Sequence, residues 1–172
     1  MRPGVTRSGE DPPKVTVGND TAHAPRGTPD SASLADLLGA VLAAEGIPGG
    51  TEASLHLVDE SAMRELNSQH MGVDGATDVL SFPLDGVEVS GQPGVPQLVG
   101  DVVLCPEVAA RNATTHAGSV VDECNLLVVH GGLHLCGWDH ATDAERDSMW
   151  ARERELMVAL GVEPSGDPWG AA

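Results

Sequence analysis

Between His130 and His140 the chain reads HGGLHLCGWDH, which places three of its seven histidines in one short stretch. The spacing dictates what the backbone must do. His130 and His134 are four residues apart, so on an α-helix both imidazoles leave the same face, one turn apart. A helix that continued would carry the following residues away from that face. Gly137 can adopt the left-handed conformation that ends a helix and brings His140 back toward the same point. Three imidazoles leave a fourth position open, the arrangement of a catalytic zinc site. The expected cofactor is one Zn2+ held by His130, His134 and His140, with a zinc-bound water as the reacting group. Cys136 lies beside the cluster, but three histidines already suffice for such a site.

The stretch sits inside a helical pattern. Ser119 with Asp122 three residues on can cap a helix, and Leu126, Leu127, His130, Leu133 and His134 then share one face. Elsewhere strand and helix signals alternate. Lys14–Val17 has a weak strand pattern. Ser33 with Asp36 can cap a helix carrying Leu34, Leu37, Leu38, Val41 and Leu42, which Gly46 and Pro48 end. Ala53, Leu55 and Leu57 alternate as a half-buried strand, and Asp59 can cap a short helix through Met63 and Leu66. Asp78–Phe82 reads as a brief strand, 85–97 as a loop rich in Gly and Pro, and Leu98–Leu104 as a central strand. Pro106 suits the first turn of a helix, and Thr142 with Glu145 forms a capping box for a last helix to about Leu160. The fold class expected is α+β: a small mixed sheet packed with helices, one of them a metzincin-like metal helix carrying HxxxHxxGxxH. Residues 1–13 are expected to form a disordered tail, 14–162 a single metal-dependent hydrolase domain and 163–172 a C-terminal tail.

Composition narrows the function. Apolar residues make up 41% of the chain, enough for a core, but with three Trp, one Phe and no Tyr that core must rest on Leu, Val and Ala. No apolar run is long enough to span a membrane and the N-terminus lacks the apolar block of a signal peptide, so a cytoplasmic protein is expected. Cys105, Cys124 and Cys136 are odd in number and scattered, which argues against a disulfide framework. The formal net charge is −17, and no basic run offers nucleic-acid phosphates a counterion-releasing face. This argues against tight, independent binding of DNA or RNA.

The histidine spacing equals that of the metzincin proteases, H-E-x-x-H-x-x-G-x-x-H, with one departure: Gly131 stands where the protease keeps its general-base Glu. Without that carboxylate, ordinary peptidase chemistry is the least favoured reading. Gly131 and Gly132 are unusual within a helix, and either close packing against the sheet or backbone access beside the metal accounts for them. Asp139 is open to two roles, orienting a histidine or moving a proton, or capping a turn.

Beyond the histidines, the chain resembles the YbeY family of bacterial rRNA maturation factors, which are single-strand-specific endoribonucleases. HGGLHLCGWDH matches the family signature at every fixed position; TDVLSFP (Thr77 to Pro83), GDVVLCPEVA (from Gly100) and LVDESAMRELN also fit, so the resemblance covers roughly residues 14–160. It implies zinc at His130, His134 and His140, and a role in maturation of small-subunit ribosomal RNA and in ribosome quality control. The implied partners are single-stranded ribosomal RNA and the small ribosomal subunit with its assembly proteins, with no membrane and no DNA. It also implies a substrate cleft between the metal helix and the TDVLSFP strand, near Asp78 and Ser81; in plain structural terms these two are equally a strand-end cap and a packed hydroxyl. One position departs from the pattern. Many family members carry an Arg shortly after the Leu-Asn pair, and here that position is Met71, whose thioether cannot clamp a phosphate as a guanidinium does. The alternatives to a nuclease are a zinc-containing assembly factor without catalysis and a metal-dependent hydrolase of another substrate.

Overall fold

The computed structural model describes residues 11–84 and 97–170. Its elements run β1 (Lys14–Asn19), α1 (Ser31–Ala44), β2 (Thr51–Leu57), α2 (Glu60–Met71), β3 (Val79–Pro83), β4 (Gln97–Leu104), α3 (Pro106–Ala113), α4 (Val120–Leu135) and α5 (Asp143–Ala159). The strands form one sheet in the order β1-β2-β4-β3, with β1, β2 and β4 parallel and β3 antiparallel to β4. This is the small mixed sheet with helices that the alternating pattern implies. The strand expected to be central, β4, does lie inside the sheet. Of the expected N-terminal tail, residues 1–10 lie outside the described residues, as does the expected Gly/Pro loop over 85–96.

Helix ends show where local chemistry decided the boundaries. The cap at Ser119 and the capping box at Thr142 form as their spacing predicts: Ser119 Oγ accepts from Asp122 N at 3.1 Å, and Thr142 and Glu145 bond reciprocally at 3.0 and 3.2 Å. The start of α1 differs from expectation. Asp30, not Ser33, is the cap, because its carboxylate accepts the Ser33 N–H at 2.8 Å and the Ser33 hydroxyl at 3.0 Å. Asp59 precedes α2 as expected but gives it no side-chain bond; its carboxylate accepts the Ala22 N–H instead. Residues 163–170, expected as a tail, lie along the body, with Gly166 N donating to Ala117 O at 2.7 Å and Ser165 Oγ to Asp122 Oδ2 at 2.6 Å.

The two sheet faces are unequal. Alternation along β2 sends Ala53, Leu55 and Leu57 into the main core, which α1 and α4 close with Leu34, Leu38, Val41, Leu42, Val129 and Leu133. A smaller cluster, Val58, Met63, Leu80, Val103, Cys105 and Val108, holds α2 and α3 on the opposite face. Helix α4 lies against α1, β3 and β4 together, and its glycines make this possible. A Cβ at position 131 would stand 2.8 Å from Val102 Cγ1 and 3.1 Å from Ser81 Oγ; one at 132 would stand 2.9 Å from Val41 Cγ1 and 3.0 Å from Leu38 Cδ1. Both glycines are therefore explained by close packing. The same contact leaves no room at 131 for a peptidase glutamate.

At an open helical site, Gly→Ala would stabilise by about 1 kcal/mol. At 132 the overpacking against two fully buried side chains wins, and Gly132→Ala is expected to lower stability by roughly 1–3 kcal/mol. Thermal melts of the metal-free protein check this; a Tm at or above wild type would mean that α1 and α4 are not in tight contact.

Candidate metal centre

The three histidines converge. One nitrogen from each of His130, His134 and His140 lies within 4.8 Å of the others, the one cluster of potential metal ligands among the described residues. The turn that brings His140 back is a Schellman motif: Gly137 N donates to His134 O and Trp138 N to Leu133 O, both at 3.1 Å, with Gly137 at φ +94°. Asp139 then accepts the His140 N–H at 2.7 Å, so the structure shows it stabilising the turn.

Hydrogen bonds fix both helical imidazoles. His134 Nδ1 lies 2.8 Å from the Trp138 carbonyl oxygen, which can only accept, so the proton sits on Nδ1. Trp138 is held in turn, its indole donating to Glu45 Oε2 at 2.8 Å, while Glu45 Oε1 accepts from Arg152 Nε at 2.6 Å. His130 Nδ1 donates to Glu153 Oε1. With both Nδ1 atoms donating, the two Nε2 atoms present lone pairs to each other at 3.0 Å. That juxtaposition is repulsive unless a cation lies between or beside them. Burial, reinforced by the neighbouring His130, holds His134 below the usual imidazole range, so it stays in the neutral form a metal needs. Cys136 is not in the cluster; burial pushes its thiol up to about 11, which keeps it protonated and a poor ligand. The donor set thus fits a divalent ion that accepts imidazole nitrogen.

A cavity of about 510 Å³ opens onto the three histidines, walled by Ser81 and Pro83 of β3 and by Met71 at the end of α2. Ser81 reaches it while its hydroxyl donates to Gly131 O at 3.3 Å, tying the strand to the metal helix. Asp78 does not line this cavity. Its carboxylate accepts the Val79 N–H at 2.8 Å, and it borders a separate space of about 220 Å³ behind His130. Met71 is 60% exposed, so the residue that departs from the family pattern stands on the cleft wall.

Sequence reasoning missed Glu153. It is 2% exposed and lies on the buried stripe of α5 with Met149, Leu156 and Met157. A lone carboxylate at helical spacing among core residues was the available signal, since such a group must find a partner.

The model of the endoribonuclease YbeY family matches residues 26–161. The chain belongs to the endoribonuclease YbeY family. An endoribonuclease YbeY from Moorella thermoacetica is 38% identical over 153 residues, covering 87% of this chain and 98% of the relative. One from Salinispora tropica is 47% identical over 121 residues, 66% of this chain and 77% of the relative. The solution structure of TM1509 from Thermotoga maritima superposes with a TM-score of 0.53 at 25% identity, covering 91% of this chain and 99% of that one.

Zinc at a hundredfold excess over its Kd would add about 2.7 kcal/mol of stability. A clear zinc-dependent rise in Tm is expected for wild type near pH 7.5, and none for a His130→Ala/His134→Ala variant. His134 ligates only when neutral, and burial holds its pKa below the ordinary imidazole value of 6.5, so its contribution to the rise persists below that value and is lost as pH falls through the lowered pKa. A rise of equal size in the variant would remove the histidines from the metal site.

Proposed function

We propose that this protein is a zinc-dependent, single-strand-specific endoribonuclease that acts in the maturation of small-subunit ribosomal RNA and in ribosome quality control. The observation that carries the reading is the convergence of His130, His134 and His140 at the floor of an open cleft, in a chain whose family is named for endoribonuclease activity. Three imidazole donors with no thiolate suit zinc and leave room for solvent and substrate. The bound ion would supply a Lewis acid, acidifying water and offsetting the charge that builds on phosphoryl oxygens.

The chain's own residues do the rest. His130 and His134 present their Nε2 atoms from a helix locked against the sheet, so the donors need no rearrangement. The mobile proton needs an acceptor, and position 131 provides none. Among the described residues that line the cleft, Asp139 is the one carboxylate, with its Oδ1 occupied by His140 N–H. We assign it the proton-handling role by that position. Ser81 sets the width of the cleft through its bond to Gly131 O.

The charge of −17 shapes the interaction with RNA. The isolated protein is expected to bind weakly and with steep salt sensitivity, and the small subunit or an assembly protein supplies local concentration. Action on the small subunit implies a cytoplasmic site of action. A second reading, an assembly factor that keeps the zinc but does not cut, is favoured by Met71 on the cleft wall.

Two measurements separate them. Metal-loaded wild type is expected to cut single-stranded RNA, and the His130→Ala/His134→Ala variant, purified identically, is expected to be inactive. Equal cutting, or none by zinc-loaded wild type, supports the assembly factor. Met71→Arg is expected to raise cleavage and RNA affinity at low salt, with the gain fading as salt screens the new charge. An unchanged rate would take position 71 out of the substrate path.

A further inference from the structure

We propose that Trp169 is a positioning residue for the metal centre: its indole N–H orients the buried Glu153 carboxylate, which orients His130. The inference rests on the metal-site reading above and deepens it. Glu153 is almost wholly inside the protein, where each carboxylate oxygen needs a donor. Among the described residues it has two. His130 Nδ1 donates to Oε1, and Trp169 Nε1 donates to Oε2 at 3.0 Å. The second bond decides the orientation of the first. A glutamate's terminal torsion is soft and two-fold, so a carboxylate held at one oxygen can swivel about that contact. Held at both, it fixes the plane of the His130 ring, keeps the proton on Nδ1 and aims the Nε2 lone pair at the convergence point. Partners beyond the ligand itself, acting in this way, govern metal affinity by 10–100-fold in zinc proteins generally.

Trp169 arrives from beyond the stretch that the family model matches, which ends at residue 161. It is carried there by a segment pinned along its length. Ser165 N and Oγ both donate to Asp122 Oδ2, at 3.1 and 2.6 Å. Partial burial works to raise the Asp122 carboxyl, but these bonds outweigh it and leave the group below its usual range. Gly166 N bonds to Ala117 O, and position 118 is a glycine at φ +112° whose absent Cβ would stand 2.6 Å from Gly166 N. At the far end Arg154 Cζ lies 4.8 Å over the Trp169 ring, which packs on the main core. The body is shaped to receive this segment, and the segment delivers one hydrogen-bond donor to the outer side of the site.

A packing role and a positioning role separate on Trp169→Phe, which keeps an aromatic ring for the core and for Arg154 but removes the N–H. The test uses the full chain, zinc competed against a chromophoric chelator, and the Tm of the metal-free protein. Trp169→Phe is expected to weaken zinc binding about tenfold or more, and to lower the metal-free Tm only by the cost of leaving Glu153 Oε2 without its donor, which a purely packing role would not couple to zinc affinity. Glu153→Gln is expected to weaken it too, and adding Trp169→Phe to Glu153→Gln should cost little more, since both act through one bond. Zinc affinity in Trp169→Phe equal to wild type overturns the inference, whether or not the Tm falls; so do effects that multiply independently. Should Glu153→Gln fail to fold, the Trp169→Phe affinity, with the visible spectrum of its cobalt-substituted form, decides alone. If wild type binds no zinc, or binds it as well as His130→Ala/His134→Ala, the metal-site reading itself fails, a result distinct from an unaffected Trp169→Phe.

Discussion

The depth at which α4 sits governs everything that follows. Gly131 lets the helix backbone rest on Val102 and Ser81, and Gly132 lets it rest on Leu38 and Val41 of α1. A side chain at either position would lift the helix away from β3 and β4, and His130 and His134 with it. The cleft exists because the strand that forms its wall and the helix that forms its floor are bonded to one another through Ser81 Oγ and Gly131 O. Two glycines that weaken the helix in isolation thus set the geometry that the imidazoles require, an instance of intrinsic propensity overridden by packing.

Polar satisfaction is the second constraint. The two buried glutamates of this core are paired by groups outside their own helices. Glu123, fully buried on α4, accepts from His116 Nδ1 at 2.8 Å and from Ala117 N at 3.0 Å, just as Glu153 on α5 accepts from His130 and Trp169. Trp138 serves twice: its carbonyl fixes His134, and its indole ties the turn to Glu45 at the end of α1. Each imidazole of the helix is therefore held by a different wall of the protein, His134 through α1 and His130 through α5. A shift of either helix relative to α4 would be felt at the Nε2 atoms, which is how a metal site acquires rigidity from elements that never touch the ion.

What the sequence revealed follows from the range over which each feature acts. The histidine cluster was legible because helix periodicity and one glycine turn bring its three members together within eleven residues. The Ser119 and Thr142 caps were legible for the same reason. At α1, two local candidates competed, and Asp30 prevailed over Ser33 because its carboxylate reaches both the N–H and the hydroxyl of Ser33. Glu153, Trp169 and the Glu45–Trp138 bond were hidden because their partners come from other elements, and no local pattern encodes a contact across 93 residues. The docking of 163–170 was masked by its composition: Pro, Gly and Ser read as a tail, yet the segment is held by Asp122, Ala117 and a single tryptophan. His116 pairs with Glu123, whose burial is set by the packing of α4 and not by any local pattern.

The acidic surface and an RNA substrate are reconciled by where the few cations are committed. Arg64 and Arg111 bond Glu60, Arg146 bonds Asp143 and Asp147, Arg152 bonds Glu45 and Glu155, and Arg154 lies over Trp169. None of these side chains lines the histidine cleft, whose wall instead carries Met71. Under the proposed function, a metal held by the three histidines would supply the positive charge at the cleft that the described lining residues lack, a short-range force at one point rather than a field along a groove. On that reading a site of this kind would act on a phosphodiester delivered to it rather than gather RNA from solution, since the net charge of −17 repels a free strand.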